Sequence, residues 1–172
     1  MEEYYEEFNV NQSEQIQHIL QHPLSTVKTF IMDWITNLDM YIFMCVGSQL
    51  SWLNIDISTL VIVAYIVLLI VAPLMENHKY QFKKLEKLWL LVVALAAGSL
   101  IQLAMYLTFT PVGANFIGGV QGRYFVPIFI LPLLCICMKE NYIKLKNPEA
   151  VLTGIATILN IIVVLKIFVS FI

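Results

Sequence analysis

The chain has 172 residues, of which 59% are hydrophobic and only 13% are charged. A soluble globular domain has about 45 to 50% apolar and about 25% charged residues, so this composition excludes an ordinary soluble fold and also intrinsic disorder. The formal net charge of −2 excludes the basic surface that nucleic-acid binding requires. The composition is typical of an all-α integral membrane protein built as a helical bundle.

The amino-terminal segment, residues 1–22, is polar and acidic and contains no Lys or Arg. Secretory signal peptides begin with a cationic region, so a cleavable leader is not expected. Glu14, His18 and His22 recur every four residues and share one helix face, where two His at this spacing can bind a metal. The surrounding residues are polar and carry no metalloprotease motif. A solvated amphipathic face is therefore the favoured interpretation, and no metal or cofactor is expected.

The next region is apolar in patches that Lys28, Asp33 and Asp39 interrupt. The apolar run that remains is too short to cross a bilayer core of ~30 Å. The pattern favours an amphipathic helix over 24–37 at the membrane surface, followed by a re-entrant helix over 40–57. A fifth full membrane span is the alternative for this region. The re-entrant helix is expected to break near Gly47, Ser48 and Asn54.

Four further segments are apolar enough to be predicted as transmembrane helices, so residues 23–172 form the predicted membrane domain. A helix rising 1.5 Å per residue needs about 20 apolar residues to cross the bilayer core. The third segment contains Pro127 and Pro132, and a kinked helix is expected there. The predicted spans are residues 58–74, 88–109, 122–140 and 150–172.

The basic residues indicate the orientation of these spans, because short loops rich in Lys and Arg stay on the cytoplasmic side. Loops 75–87 and 139–149 contain four and three of the ten basic residues, respectively. Both loops are therefore predicted to be cytoplasmic. This orientation places loop 110–124 and the acidic amino-terminal segment on the outer side of the membrane.

Four of the seven glycines of the chain lie in the outer loop, between residues 113 and 122. Glycine permits sharp bends, and irregular backbone at membrane depth must be buried in protein or line a wet cavity. Arg123 is the loop's single charge and the only arginine in the chain. A guanidinium binds phosphate or carboxylate through two parallel hydrogen bonds, and backbone amides beside glycines add donors. The candidate substrate-binding residues are Asn115, Gly119, Gln121, Gly122, Arg123 and Tyr124.

Each polar side chain of this loop also has a structural interpretation. Arg123 could pair with an acid of a neighbouring segment, or extend to the membrane interface while Tyr124 anchors the next helix. Gln121 and Asn115 could cap helices or bridge backbone groups. The clustering of these residues with the glycines favours a binding role over the structural one.

Three acids lie near the membrane on the predicted outer side, where a carboxylate can serve as a general base or a metal ligand. Helix capping or simple exposure is the favoured interpretation for each of them. The sequence contains no phosphate-binding loop, dinucleotide fingerprint or nucleophile elbow, so no catalytic residue is assigned. The three acids are Asp33, Asp39 and Asp56.

The stretch YLTFTPVGANFIGGVQGRYFVPIFILP resembles the signature of a bacterial family of multi-pass membrane proteins, the domain of unknown function 2142 family. Upstream, HPLSTVKTF and VGSQLSWLNIDIS resemble two further stretches of that family in the expected order, with Leu50 or Ser51 where a second glycine stands in the family. The resemblance covers about residues 13–172 and corresponds to the carboxyl-terminal third of family members. The signature residues present here are Tyr106, Thr108, Thr110, Pro111, Gly113, Ile117, Gly119, Val120, Gln121, Gly122, Arg123, Tyr124 and Pro127.

This family is similar to the membrane glycosyltransferases that use polyprenyl-phosphate-linked sugars at the outer face. The resemblance implies a partial glycosyltransferase-like module of the bacterial inner membrane, whose outer loop binds a lipid-linked sugar phosphate during cell-envelope polysaccharide synthesis. The catalytic acid of such enzymes usually lies nearer the amino terminus, so the chain alone is expected to be inactive. The expected partners are membrane lipid, a polyprenyl-phosphate-linked sugar and other polysaccharide assembly proteins. The alternatives are a non-catalytic scaffold, a transporter piece or an inactive truncated product.

Overall fold

The structure is a computed structural model, and it confirms the all-α membrane fold predicted from the composition. Long apolar helices dominate, and two short strands pair antiparallel between them. The structure describes residues 10–50, 55–75, 82–137 and 147–170. The helices of these residues are α1 (Gln12–Gln21), α2 (Pro23–Cys45), α3 (Thr59–Met75), α4 (Lys84–Thr108), α5 (Val126–Leu134) and α6 (Pro148–Ser170), and the strands are β1 (Gln49–Leu50) and β2 (Ile55–Asp56).

Local polar groups and a proline set the boundary between α1 and α2. The side-chain oxygen of Asn11 accepts hydrogen bonds from the backbone N–H groups of Ser13 (3.1 Å) and Glu14 (3.3 Å), which caps the start of α1. Helix α1 ends before Pro23, because proline has no N–H to donate and disfavours helical backbone at the residue preceding it. The same proline is well suited to the first turn of α2.

Helix α2 differs from the sequence prediction. The pattern suggested an amphipathic helix over 24–37 and a separate re-entrant helix over 40–57, whereas α2 is one continuous helix of 23 residues. The charged side chains that suggested two helices do not interrupt it, because the buried one, Asp33, is hydrogen-bonded to other side chains and the others are exposed. A single long helix therefore replaces the two predicted ones.

The predicted break near Gly47 is confirmed. Gly47 has a φ of +99°, a left-handed conformation that glycine adopts without strain. The N–H groups of Gly47 and Ser48 donate hydrogen bonds to the carbonyl oxygens of Met44 (3.1 Å) and Phe43 (3.0 Å). These bonds satisfy carbonyl groups that the end of an α-helix would otherwise leave unpaired. Asn54, the third residue of the predicted break, lies outside the described residues.

Among the described residues, α4 and α6 are long and apolar enough to cross a membrane. Their 25 and 23 residues correspond to about 38 and 35 Å at 1.5 Å per residue, more than a bilayer core of ~30 Å. Few of their side chains are buried inside the bundle, so most of them lie at least partly on its surface, where lipid would contact them. These helices coincide with the predicted spans 88–109 and 150–172. Helix α3 coincides with the predicted span 58–74 and has 17 residues, and a total of four membrane spans stays a prediction.

The helix predicted over 122–140 is shorter than expected in the part that the structure describes. A 3-10 turn over Gly122–Phe125 leads into α5, which has nine residues. The ring of Phe125 lies beside Gly98, near the middle of α4. The Nζ of Lys87, near the start of α4, donates a hydrogen bond to the carbonyl oxygen of Cys135 (2.6 Å). Helix α5 therefore runs antiparallel along the first half of α4, and the preceding loop returns from the end of α4 to its middle.

Two clusters of buried side chains hold the bundle together. The first joins α2, α4 and loop 110–124, which we call the outer loop after its predicted side of the membrane, and the second joins β2, α3 and α6. In the second, the Tyr65 hydroxyl of α3 donates a hydrogen bond to Asn160 Oδ1 of α6 (3.0 Å). The first cluster contains Tyr41, Tyr106, Ile117, Val120 and Phe125. Two of these residues, Ile117 and Val120, belong to the outer loop, so part of that loop is buried between the helices.

Cysteine labelling tests the predicted orientation. In a variant without native cysteines, Ala114→Cys should react with a membrane-impermeant thiol reagent on intact cells, and Lys84→Cys should react only after the cells are permeabilised. Lys84→Cys should be protected on intact cells because short Lys-rich loops are retained on the cytoplasmic side of the membrane. Labelling of Lys84→Cys on intact cells, with Ala114→Cys protected, would reverse the assignment. Lys144, in the second predicted cytoplasmic loop, lies outside the described residues.

Candidate functional site

The glycine-rich outer loop makes turns that other residues would resist. Gly113 and Gly119 have φ values of +73° and +75°, which L residues with a side chain rarely adopt. A Cβ at Gly119 would also lie 2.9 Å from the Cβ of Phe109, too close for two carbon atoms. These two glycines let the chain turn sharply after α4 and fold back into the bundle, so Gly119 shapes the loop.

Buried polar side chains satisfy the backbone of this returning loop. The backbone N–H of Gly113 donates to Gln15 Oε1 (2.9 Å), and the N–H of Gly118 donates to Thr110 Oγ1 (2.9 Å). The hydroxyl of Tyr106 donates to the carbonyl oxygen of Ala114 (3.1 Å). Irregular backbone away from water needs such partners, because lipid cannot supply them. Helix α1 therefore holds the outer loop through Gln15, although α1 belongs to the segment predicted to be solvated.

Gly122 lies where the loop meets α2. A Cβ at this position would overlap the Cβ of Met44 and the carbonyl oxygen of Tyr41, and it would lie 2.6 Å from the backbone nitrogen of Cys45. The backbones of α2 and the 3-10 turn are therefore in direct contact here. The structure places Gly122 as a packing residue between two elements, and its predicted role in binding a substrate stays a prediction.

Arg123 follows Gly122 and is exposed. Its guanidinium carbon lies 5.9 Å from the centre of the Tyr124 ring, a cation–π arrangement. Within the part of the chain that the structure describes, no ion pair of Arg123 with an acid occurs. Gln121 is half-buried, and its Oε1 has no hydrogen-bond partner among the described residues. The charge of Arg123 is thus exposed, and no group in the described part of the chain occupies its donors.

A buried acid in α2 organises the polar interior of the bundle. Asp33 is only 5% exposed. Its Oδ1 accepts a hydrogen bond from Asn37 Nδ2 (2.8 Å), and its Oδ2 accepts hydrogen bonds from the Tyr41 hydroxyl (2.6 Å) and Gln102 Nε2 (2.6 Å). The favoured prediction of a capping or exposed role for Asp33 was therefore wrong. Burying a carboxylate is costly, and these three donors offset that cost.

A sequence signal for this interior polar face was present but not recognised. Polar residues recur at every fourth position from Ser25 through Thr29 and Asp33 to Asn37, and Tyr41 extends the series. Residues four apart share one face of an α-helix. The partner on α4, Gln102, had no such signal, because it lies alone in an apolar run.

Two cavities lie on opposite sides of α2. The first, which we call the polar cleft, has a volume of about 420 Å³ and is bordered by the outer loop. The second, which we call the apolar groove, has a volume of about 320 Å³ and lies between α2, α4 and α5. The polar cleft is lined by Lys28, Asp33, Thr36, Asn37, Asn115 and Phe116, among others. The apolar groove is lined by Trp34, Tyr41, Leu95, Phe125, Phe129 and Pro132, among others.

The predicted substrate-binding residues do not all lie at the same cavity. Asn115 is exposed and lines the polar cleft, whereas Arg123 lies two residues before Phe125, which lines the apolar groove. Tyr124 is half-buried beside Arg123, and Gly119 lies at a turn of the loop. The structure therefore brings the six residues onto one loop but does not gather them around a single cavity.

The remaining candidate residues are exposed or bonded locally. Glu14 accepts a hydrogen bond from Asn11 Nδ2 (2.9 Å), and the rings of His18 and His22 lie 4.8 Å apart between centres. The described residues contain no group of three or more His, Cys, Asp or Glu side chains that could hold a metal ion. Asp39 and Asp56 are exposed, as predicted.

The comparisons with known proteins agree with this membrane fold. A family model described as "Predicted membrane protein (DUF2142)" matches residues 2–132. The matched span includes the acidic amino-terminal segment and ends within α5, whereas the resemblance seen in the sequence extended from about residue 13 to residue 172. No curated protein and no solved structure matches the chain. Because the match covers more than half of its length, the chain belongs to the DUF2142 family of predicted membrane proteins.

Proposed function

We propose that this protein is a glycosyltransferase-like membrane module that binds a lipid-linked sugar phosphate of the polyprenyl-phosphate class, for cell-envelope polysaccharide synthesis. One observation carries the proposal: the exposed guanidinium of Arg123 lies on the same 3-10 turn as Phe125, which lines the apolar groove. Two residues so placed in a 3-10 turn are separated by about 4 Å along its axis, and their side chains leave it on adjacent faces, about 120° apart. A lipid phosphate at Arg123 would thus lie close to a cavity suited to its hydrocarbon chain.

The chemistry of Arg123 suits the phosphate. A guanidinium is planar and always charged, and it presents donors in a fork that matches two phosphate oxygens. The ring of Tyr124 lies beside it in a cation–π arrangement, which leaves the N–H donors at the edge of the guanidinium free to point toward a phosphate. Because no acid of the described residues neutralises Arg123, an anionic ligand would be its first ion-pair partner in this region.

The chemistry of the apolar groove suits the hydrocarbon chain. Its lining comes from three helices and consists of aliphatic, aromatic and other weakly polar side chains, with no charged residue. Burying apolar surface contributes about 25 cal/mol per Å² when that surface would otherwise contact water. In a membrane the gain is smaller, and shape complementarity to a branched polyprenyl chain would decide which lipid is preferred.

Binding of polyprenyl phosphate to the purified chain in lipid nanodiscs tests this proposal. Arg123→Lys keeps the positive charge but replaces the forked contact by a point contact, so the affinity should fall about tenfold or more. The control is Lys84→Gln, which removes a whole positive charge from an exposed position at the start of α4 and should leave the affinity unchanged.

Thermal unfolding of the same variants separates binding from folding. Because Arg123 has no ion pair among the described residues, Arg123→Lys should unfold at the wild-type temperature in the absence of ligand. An unchanged affinity for polyprenyl phosphate together with a lowered unfolding temperature would show that Arg123 has a structural role. The proposal would then have to be abandoned.

A further inference from the structure

We infer that the polar cleft between α2 and the outer loop is a carbohydrate subsite that binds a neutral pyranose ring. This inference deepens the proposed function and rests on it for the origin of the sugar, because the ring could belong either to the lipid-linked donor or to an acceptor glycan. The cleft has a volume of about 420 Å³, within the range of sites that hold small organic ligands.

The charge of the cleft favours a neutral ligand. Its lining contains one base, Lys28, and one acid, Asp33. A site for phosphate would present an excess of cationic groups, and a site for a divalent cation would present several carboxylates. The lining instead combines these two opposite charges with hydroxyl and amide groups, and a polyhydroxylated neutral molecule can use all of them.

The lining offers both donors and acceptors to sugar hydroxyl groups. The side chain of Lys28 supplies N–H donors, and the amide of Asn115 supplies both a donor group and an acceptor. Both residues are exposed, so these groups can reach a ligand without rearrangement of the bundle. Hydroxyl groups of a pyranose donate and accept at the same time, and such mixed surroundings satisfy them.

Asp33 lines the cleft and keeps one acceptor position that no donor of the described residues uses. Among the described residues, its Oδ2 accepts two hydrogen bonds, from Tyr41 and Gln102, whereas its Oδ1 accepts one, from Asn37. A carboxylate oxygen has two lone pairs, so Oδ1 can accept one more hydrogen bond. The three protein donors hold the carboxylate in place, so its free lone pair is oriented before a ligand arrives.

Phe116 supplies an apolar surface at the edge of the same cleft. Its side chain is 54% exposed although it is a large aromatic residue. The face of an aromatic ring is electron-rich and attracts C–H groups, and a pyranose ring presents several C–H groups on one face. A polar wall opposite an exposed aromatic ring distinguishes a cyclic sugar from an acyclic polyol, which has no such flat face.

Saturation-transfer NMR on the full chain in lipid nanodiscs tests the inference with methyl glycosides of glucose, galactose, mannose and N-acetylglucosamine. At least one glycoside should bind, and sorbitol should not. Phe116→Ala and Asn115→Ala should each weaken binding of that glycoside about 2- to 10-fold. The control is Phe168→Ala, which removes an aromatic ring that is 65% exposed on α6, far along the chain, and should have no effect.

Two outcomes overturn the inference: no glycoside binds the wild-type chain, or Phe116→Ala and Asn115→Ala bind the glycoside as the wild-type chain does. Polyprenyl phosphate without sugar tests the proposed function separately, because its affinity should depend on Arg123 and not on Phe116. If a sugar-bearing polyprenyl phosphate displaces the glycoside, the subsite holds the donor sugar. If the two bind independently, the subsite holds an acceptor sugar.

Discussion

Gly122→Ala is expected to destabilise the protein strongly, because it adds a methyl group where two backbone segments touch. The new Cβ would overlap backbone and Cβ atoms of α2, which cannot rotate away as a flexible side chain can. Overpacking a well-packed contact costs about 1 to 3 kcal/mol, and a clash with backbone belongs at the upper end of that range. Thermal unfolding in detergent, followed by tryptophan fluorescence, should show a decrease of several degrees.

Gly154→Ala is the matched control for this substitution. Gly154 lies in α6, and apart from the adjoining backbone of its own helix, a methyl group there would meet no atom of the described residues within 4 Å. Alanine is favoured over glycine in a helix interior by about 0.5 to 1 kcal/mol, so Gly154→Ala should be neutral or slightly stabilising. Equal unfolding temperatures for the two variants would contradict the direct contact between α2 and the 3-10 turn.

Asp33→Ala is expected to lower the free energy of unfolding by about 2 to 4 kcal/mol. The substitution leaves the Tyr41 hydroxyl and Gln102 Nε2 buried without their acceptor, and each unsatisfied buried donor costs about 1 to 3 kcal/mol. Asn37 is half-buried and can turn toward water, so its contribution is smaller. Chemical unfolding in mixed micelles, followed by helical circular dichroism, measures the loss.

Two further substitutions isolate the cause of that loss. Asp39→Ala removes the same carboxylate from an exposed position of the same helix, where it bonds only the adjacent backbone N–H among the described residues, so the change should stay within about 0.5 kcal/mol. Asp33→Asn keeps an acceptor for Tyr41 and Gln102, so it should lower the free energy of unfolding less than Asp33→Ala does. If Asp33→Ala and Asp39→Ala were equally stable, the buried network would contribute nothing to folding.

Asp33 is buried and Asp39 is exposed, although both lie in α2. This difference shows which structural features the sequence could predict and which it could not. Both acids interrupt the same apolar pattern, although only Asp33 belongs to the series of polar residues at every fourth position of α2. Their environments differ because Gln102, 69 residues away, lies opposite one of them and not the other. No local pattern reports a contact at that separation, so the exposed role predicted for both was right only for Asp39.

The outer loop was predicted in part. Its glycines and its single arginine marked it as irregular backbone with an available charge, and the structure places Gly113 and Gly119 at left-handed turns. The return of the loop to the middle of α4 was not predicted, because it depends on the packing of Phe125 against Gly98 and of Gly122 against α2. The hydrogen-bond partner of the Gly113 N–H group is Gln15, which lies in the segment predicted to be exposed to solvent.

The sequence by itself determined that this is an all-α membrane protein with long apolar helices, since the length of an uncharged run and the thickness of a bilayer are local and independent of tertiary contacts. For α3, α4 and α6 it also determined where the helix begins and ends to within four residues. Only the tertiary structure decided that α2 is continuous, that Asp33 is buried, and that a polar cleft and an apolar groove flank the same helix. Each of these features arises from side chains that are distant in the sequence, and their mutual burial exists only once the helices have packed.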